Sequence, residues 1–328
     1  MPGIFRKINW KLIIRLLGFI LLAVILSRID YHELRKTFLQ VNIPLYFLSF
    51  VAIIPIYIFK SIRWRYLLSM SHIRYSLQDA FLAFFAANFV AFITPGRLGE
   101  IVKAFYVRAD RNIPLASAIP SVVFDRLFDV YFLLIVAISG LFRFDLLNDA
   151  VSFGVVSCVL VLIPVLLFNR KLVMPVIDRI SRPLFLQKIR KPVIDFFNQF
   201  YDRVGEMLDY RLWVGIFWTI IAYLFLFLAA WLIAVSMKLP FGFFTLAVMI
   251  ATVNALSFLP ITIGGLGVRE ITLIYFFGFL GLSAETAIAF STLFFCTFYV
   301  AGGFFGFICY LIKGESFLRW KKGGEEPG

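Results

Sequence analysis

Nine apolar runs dominate the chain, at residues 12–26, 43–62, 79–95, 115–142, 150–168, 212–236, 243–263, 268–281 and 284–312. A helix needs about 20 consecutive apolar residues to cross the hydrocarbon of a bilayer. Within that layer backbone groups must bond inside the segment, which makes helices the expected element. Of the 328 residues, 62% are hydrophobic and 16% charged, whereas soluble domains run about 45–50% apolar and about 25% charged. A soluble globule is excluded, and the expected fold class is an all-α polytopic integral membrane protein.

The net charge is +13. In a soluble chain that would suggest nucleic acid; here the basic residues gather between apolar runs, where they report topology and an anionic lipid surface. No nucleic-acid partner is expected. Lys60, Arg63, Arg65 and Arg74 follow the second run, Arg97, Lys103, Arg108 and Arg111 follow the third, and the 169–211 connection carries nine Lys and Arg. The 143–149 and 237–242 loops carry only Arg143 and Lys238. Arg6, Lys7 and Lys11 precede the first run, and Ser27-Arg28-Ile29-Asp30 after it offers no small-x-small cleavage site. That run reads as an uncleaved span with a cytoplasmic N-terminus.

If the third run crossed fully, both 96–114 and 169–211 would lie outside, against the positive-inside rule. Residues 79–109 therefore read as a re-entrant hairpin and 243–281 as a second one entering from the other side. Six full spans remain, at 12–27, 43–62, 115–142, 150–168, 212–236 and 284–312. They form two membrane units of opposite orientation, 1–148 and 149–313, followed by a basic-acidic cytoplasmic tail at 314–328. The hairpin tips support a repeat independently. Thr94-Pro95-Gly96-Arg97-Leu98-Gly99 and Thr262-Ile263-Gly264-Gly265-Leu266-Gly267 agree at four of six positions, and each tip carries an Arg and a Glu: Arg97 and Glu100, Arg269 and Glu270. An inverted repeat built around glycine-broken apolar segments places transport sites near the midplane of many secondary transporters. The expected location is the cell membrane, with both termini cytoplasmic.

The 169–211 segment is the one sizeable extramembrane piece, and Pro175, Pro183 and Pro192 are expected to break it. From Pro192 to Tyr210, Val193, Phe196, Phe197, Phe200, Val204 and Leu208 recur near helical spacing. Two readings fit such an amphipathic helix: one lying on the cytoplasmic interface against anionic headgroups, or a docked connector with no lipid role.

Ionisable residues inside apolar runs carry the sharpest signal, because a charge at the bilayer centre costs at least about 2.5 kcal/mol and persists where it is paired or solvated. Three places qualify. At the first tip, Gly96 and Gly99 permit close backbone approach while Arg97 offers a planar five-donor fork suited to phosphate. Glu100 would orient Arg97 or take part in proton coupling; alternatively the two simply pair to close the hairpin, or Arg97 is topogenic. In the 115–142 run, Asp125 and Asp129 share a helix face at i, i+4, with Arg126 at i, i+3 to Asp129. This is either an ion- or proton-coupling cluster or an internally neutralised network clamping the span. At the second tip, Gly264, Gly265 and Gly267 imply irregular backbone buried in protein or lining a cavity, beside Arg269 and Glu270. Asn88 and Asn254 are candidate cavity polar groups, and Glu285 after Ser283 reads as a helix N-terminal charge.

Nothing in the sequence assembles a catalytic or metal centre, so neither enzyme activity, nor a cofactor, nor a metal is expected. His32 and His72 fall in loops on opposite sides of the membrane, while Cys158, Cys296 and Cys309 lie within apolar runs without C-x-x-C spacing and read as small buried hydrophobes. No phosphate loop follows Lys313-Gly314, and Gly264–Gly267 lacks the preceding strand of a dinucleotide site.

Through the Thr-Pro-Gly-Arg-Leu-Gly-Glu tip, the Asp-Arg-x-x-Asp element and the Gly-Gly-x-Gly-x-Arg-Glu tip, the chain resembles the flippase-like transmembrane family named for the membrane region of lysylphosphatidylglycerol synthases, over roughly residues 10–312. The resemblance implies movement of a lipid between leaflets, with roles for Arg97, Glu100, Asp125, Arg126, Asp129, Arg269 and Glu270. It implies an anionic phospholipid or a polyprenyl-phosphate lipid as partner, and a separate glycosyltransferase or aminoacyltransferase beside it. The soluble aminoacyl-transferring domain of the fused synthases is not found before Gly328, which leaves the cargo open. The leading reading is a lipid translocator that does not itself hydrolyse ATP. The alternatives are a membrane-embedded transferase subunit using Asp125 or Asp129 as base, and a structural partner of a lipid-modifying enzyme.

Overall fold

The computed structural model describes residues 22–94, 96–143, 154, 158, 162, 166, 168–182, 187–258 and 264–323, which are helical apart from short turns, with no strand among them. The helices are α1 (Tyr31–Leu39), α2 (Ile43–Met70), α3 (Leu77–Phe92), α4 (Val102–Arg111), α5 (Leu115–Arg143), α6 (Arg170–Ser181), α7 (Gln187–Met207), α8 (Leu212–Ser236), α9 (Phe243–Ser257), α10 (Val268–Phe279), α11 (Ala284–Phe295) and α12 (Gly302–Gly323). A 3₁₀ turn, Leu98–Ile101, leads into α4, and a π-helical segment, Cys296–Ala301, joins α11 to α12. Side chains set the boundaries. Asn42 accepts from the Leu45 N–H at 3.2 Å to start α2, and Ser76 accepts from the Asp79 N–H at 3.0 Å to start α3. At the end of α2 the chain turns back through His72, at φ +59°, with the Ile73 and His72 N–H groups donating to the carbonyls of Leu68 and Ser69.

Three described stretches are long and apolar enough to cross a membrane: Ile43–Met70, Leu212–Ser236 and Ala284–Gly314. Their outward faces expose Phe47, Val51, Ile54, Phe217, Ile220, Leu224, Phe304 and Leu311, a surface suited to lipid. The 29-residue α5 is as long but carries Asp125, Arg126 and Asp129 in its middle. Of the expected spans, 12–27 and 150–168 lie largely outside the described residues.

Side-chain partners fix the directions of the long helices. The Asn42 N–H donates to the Ser236 carbonyl at 2.7 Å, and at the other end the Tyr66 hydroxyl donates to the Arg211 carbonyl at 3.0 Å, so α2 and α8 are antiparallel. Lys60 meets Asp129 and Trp64 meets Ser121, so α5 also opposes α2. The α11–α12 rod runs parallel to α2, with Tyr46 bonded to the Leu293 carbonyl and Gly302 against Tyr57. Between these rods lie two helical hairpins. In the first, α3 and α4 diverge from a tip at 94–101 and return to one level, where Lys313 bonds both Asp79 and Asp110. In the second, Phe241 before α9 meets Phe277 near the end of α10 at a ring separation of 5.0 Å. The first hairpin is rooted at the Met70 and Lys313 end of the rods, the second at the Ser236 end, and their tips meet midway. Gly264 lies against the Phe92 carbonyl, and Arg126 of α5 stacks on Phe258. The first hairpin packs α3 on α12, and the second packs α9 on α5.

Several expectations need correction. The second span continues to Met70 rather than ending at 62, so Lys60, Arg63 and Arg65 sit within α2 and not in a basic loop. Lys103, expected among the loop charges after the third run, is likewise buried in α4. Buried charges satisfied by partners carry no topological information, which leaves Arg65, Arg74, Arg108 and Arg111 for the positive-inside argument at these two segments. Pro175 and Pro192 lie inside α6 and α7 instead of breaking them; each is the sixth residue of its helix and is exposed. Pro183 lies outside the described residues. The α7 helix follows the docked-connector reading on one face: Val204 and Met207 are buried with Leu67, Met70 and Phe124, and Phe200 stacks on Phe168. On α6, hydrogen bonds from Arg190 and then Arg182 hold Asp178 below the usual carboxylate range. His32 lies in α1 rather than in a loop, and Cys158 is exposed, unlike Cys309.

The contact between α12 and α3 depends on Gly306, where an added Cβ would lie 2.8 Å from the Phe85 carbonyl oxygen. Small residues at such crossings let helices in a membrane approach closely. Gly306→Ala should lower the thermal midpoint of the detergent-solubilised protein, corresponding to about 1–3 kcal/mol of overpacking. Gly278→Ala in α10, where an added Cβ meets nothing within 4 Å, should leave the midpoint unchanged or raise it. A scan in which both variants behave alike would refute this packing.

Candidate functional site

The central feature grows from the i, i+4 pair Asp125 and Asp129 on α5, which face α2 and are both buried. Arg63 of α2 lies between them. Its Nε donates to Asp125 Oδ1 at 2.8 Å and its Nη2 to Asp129 Oδ1 at 2.9 Å and to the Asp125 carbonyl at 3.1 Å, while Nη1 donates to Thr219 Oγ1 of α8 at 2.8 Å. Lys60, one turn earlier, donates to Asp129 Oδ2 at 2.8 Å and to the Tyr223 hydroxyl at 3.3 Å. Lys103 donates to Asp125 Oδ2 at 2.6 Å and lies 3.5 Å from Glu100. All four carboxylate oxygens of the aspartates thus accept from cations. Arg126 does not pair with Asp129 as its spacing suggests. It points to the first tip, with Nη1 3.2 Å from Glu100 Oε1 and Nη2 donating to the Arg97 carbonyl at 3.1 Å.

That tip is strained. Gly96 and Arg97 have φ of +59° and +56°, a left-handed conformation costing a non-glycine residue about 1–2 kcal/mol. Thr94 Oγ1 accepts from the Gly99 N–H at 2.8 Å, and a Cβ on Gly99 would lie 2.6 Å from the Val90 carbonyl, so glycine is required for the chain to fold back on α3. Pro95 lies outside the described residues. The half-buried Arg97 side chain donates through Nη2 to Asn88 Oδ1 at 3.3 Å and rests 5.2 Å over the Phe92 ring; Asn88 in turn donates to the Tyr57 hydroxyl at 3.1 Å. Arg97 Nε is buried without a hydrogen-bond partner. Glu100 is engaged by Arg126 and Lys103, and Arg97 makes no ion pair among the described residues.

The second tip is organised differently. Thr262 and Ile263 lie outside the described residues, while Gly264, Gly265 and Gly267 take φ of +60°, +74° and +82°. Glu270 accepts from the Gly267 N–H at 2.7 Å, from the Ser291 hydroxyl at 2.8 Å and from Arg269, whose guanidinium stacks on Phe295 and Tyr299. Arg269 and Glu270 neutralise one another, although Arg269 Nη1 is buried without a partner. Glu285 lies in the first turn of α11 behind the Ser283 cap, as expected.

Beside the first tip lies a narrow cavity of about 50 Å³ whose polar lining is Tyr57, Lys60, Asn88, Arg97, Glu100, Asn254 and Tyr299, closed by Phe84, Phe92, Phe294 and Phe298. Asn254 spends its amide on the Ile250 carbonyl. On the other side of the first tip, a second cavity of about 260 Å³ has aliphatic walls, including Leu98, Ile119 and Val122, and shares Arg97 and Glu100 with the first. Arg97 therefore borders both a polar interior and an apolar outer pocket. The connected network holds five cationic side chains, Lys60, Arg63, Arg97, Lys103 and Arg126, against three carboxylates, Glu100, Asp125 and Asp129. Such an excess in a low-dielectric interior favours an anionic guest.

Sequence reasoning brings forward Arg97, Glu100, Asp125, Arg126, Asp129, Asn88 and Asn254, all of which belong to this network or its cavity, whereas Arg269 and Glu270 sit behind Tyr299. It misses Lys60, Arg63 and Lys103, which read as topogenic, along with Tyr57, Thr219 and Tyr223. A signal is present: Lys60 and Arg63 stand at i, i+3 on a helix that continues to Met70, complementary to the i, i+4 aspartates.

The sequence profile of the family described as lysylphosphatidylglycerol synthase TM region matches residues 11–306, and the chain belongs to that family. It is also similar to a UPF0104 membrane protein of Methanocaldococcus jannaschii, 22% identical over 327 aligned positions covering 93% of this chain and 96% of that protein. No solved structure matches the chain significantly.

Removing one member of a buried ion cluster leaves an uncompensated charge, at a cost of about 3–5 kcal/mol. Arg63→Leu should therefore lower the thermal midpoint sharply. Arg63→Lys, which keeps the charge but cannot bridge both aspartates, should fall between Leu and wild type. Equal midpoints for all three proteins would show that the bridge does not stabilise the fold.

Proposed function

We propose that this member of the family is a lipid translocator that moves an anionic lipid headgroup between leaflets, with Arg97 as receptor for the headgroup phosphate. The observation carrying the proposal is that Arg97, alone among the five clustered cations, has no carboxylate partner among the described residues while it borders the central cavity. Its planar fork suits a phosphate, and an anion there would offset the cationic excess of the network. The aliphatic pocket on the far side of the tip gives the lipid chains an apolar surface while the head reaches Arg97. Glu100, Gly96 and Gly99 shape the first receptor. Arg269 and Glu270, with Gly264, Gly265 and Gly267, form its counterpart at the opposed tip, neutralised in the present arrangement, so that the headgroup engages the two tips in turn.

The membrane arrangement proposed is six crossings and two re-entrant hairpins in an inverted repeat. Lengths support it. The 16-residue α3 and 15-residue α9 reach only about 22–24 Å at 1.5 Å per residue, short of the roughly 30 Å of hydrocarbon. The antiparallel α2 and α8, and the exchanged packing of each hairpin on the other unit's last rod, fit units of opposite orientation. Against the transferase reading, every carboxylate oxygen of Asp125 and Asp129 is already taken by a cation, which leaves neither free as a general base. The aspartates serve instead as the fixed frame on which the receptor sits.

In proteoliposomes, exchange of a fluorescent phosphatidylglycerol between leaflets should fall at least tenfold in Arg97→Ala with the thermal midpoint retained. Wild-type rates in that variant would overturn the assignment of Arg97. The topology has a separate check. Cysteines at Arg74 and Arg111 should label from the same side of intact vesicles and one at Lys238 from the other, because Arg74 and Arg111 flank the first hairpin. Labelling of Arg74 and Arg111 from opposite sides would mean that residues 79–109 cross the membrane.

A further inference from the structure

A second cavity with anion-binding chemistry lies away from the tips, beneath the end of α2. It has a volume of about 450 Å³, and its walls are Ile62, Arg65, Tyr66 and Ser69 of α2, the turn Ile73–Tyr75, and Trp218 of α8. The α2 residues stand at i, i+3, i+4 and i+7, one continuous stripe, on the face opposite the buried Lys60, Arg63 and Trp64. Its left-handed His72 folds the following turn back over this stripe, which brings Arg74 beside Arg65.

The donors and acceptors are unevenly used. Arg65 donates through Nε to the Tyr75 carbonyl at 3.0 Å, and its two terminal nitrogens make no hydrogen bond among the described residues. Arg74 is exposed and makes no hydrogen bond among the described residues. None of the lining residues is acidic. The Ser69 hydroxyl donates to the Tyr66 carbonyl at 2.6 Å and the Tyr66 hydroxyl to the Arg211 carbonyl at 3.0 Å, so each hydroxyl has its proton committed and keeps acceptor capacity. Trp218, stacked at 5.6 Å on Phe59, forms an aromatic wall at the first turns of α8. The pocket thus combines two guanidinium forks, two hydroxyl acceptors and an aromatic–aliphatic wall at the rod ends, where basic residues meet lipid headgroups.

We infer that this pocket is a binding site for an anionic phospholipid, its phosphodiester held by Arg65 and Arg74 and the hydroxyls of its head received by Ser69 and Tyr66. The bound lipid stands beside the α2–α3 turn, whose Tyr75 also bonds Asp110 at the root of the first hairpin. It is distinct from the transported lipid and independent of Arg97.

The test is quenching of Trp218 fluorescence by brominated lipids in vesicles, with Trp218→Phe isolating its contribution from the other tryptophans. Brominated phosphatidylglycerol at a tenth of the lipid should quench Trp218 at least threefold more strongly than brominated phosphatidylcholine at the same fraction. That preference should disappear in Arg65→Gln/Arg74→Gln, weaken in Arg74→Gln, which breaks no hydrogen bond among the described residues, and persist in Arg97→Ala. Equal quenching by the two lipids, or a preference unchanged in Arg74→Gln and in the double variant, would overturn the site. Loss of the preference on adding 20-fold excess inorganic phosphate at constant ionic strength would assign the pocket to a free anion and overturn the lipid assignment.

Discussion

The whole interior is arranged around one bridge, the guanidinium of Arg63 held between Asp125 and Asp129. Two carboxylates one helical turn apart in a membrane interior would repel each other and drive one another toward the neutral form. The bridge offsets that repulsion, and because Arg63 also bonds Thr219, it joins α2, α5 and α8 at one height. Lys60 and Lys103 complete the valences of the aspartates and recruit Tyr223 and the first hairpin. Charge at this depth is tolerated only as a closed set of partners. Each carboxylate oxygen of the aspartates is accordingly held by a cation, and Arg97 at the tip is the member of the network without a carboxylate partner among the described residues.

The tip inherits that imbalance. Arg97 occupies a left-handed backbone position and bonds only a neutral amide, while its own carbonyl is gripped by Arg126. Backbone strain and an incompletely paired guanidinium coincide at one residue, a combination expected where a ligand supplies the missing interaction. The second tip has the same ingredients in a charge-neutral arrangement, since Arg269 and Glu270 are adjacent and pair with each other. The two tips place both their arginine and their glutamate differently relative to the glycines, and accordingly Arg269 pairs with Glu270 while Arg97 makes no ion pair among the described residues.

Much of this is legible in the amino-acid sequence. The Gly96, Gly99, Gly264, Gly265 and Gly267 positions do mark backbone that only glycine tolerates or that folds tightly on a neighbour. The paired aspartates and Arg126 are visible because charge within an apolar run is rare. Their partners are hidden for the same reason in reverse: Lys60 and Arg63 lie at the edge of an apolar run, where a buried cation and a topogenic one are identical in composition. Lys103 is concealed by a ten-residue helix too polar to announce itself as interior. Arg126 misleads because helical spacing fixes which residues share a face but not which neighbouring element reaches that face first. The direction of α2 against α8 follows from contacts between residues far apart in the chain, such as Asn42 and Ser236, to which local pattern is blind.

The π-helical segment Cys296–Ala301 has a mechanical consequence. A π turn accommodates one more residue than an α turn, and it lies where Phe298 and Tyr299 line the cavity. Further along the same rod, Lys313 clamps Asp79 and Asp110 at the root of the first hairpin. One residue corresponds to about 100° of helix rotation. Absorbing the extra residue into regular α-helix while α11 stays fixed would therefore swing Lys313 away from both aspartates. The wall of the cavity and the clasp on the hairpin thus lie on one continuous rod, with the π turn between them.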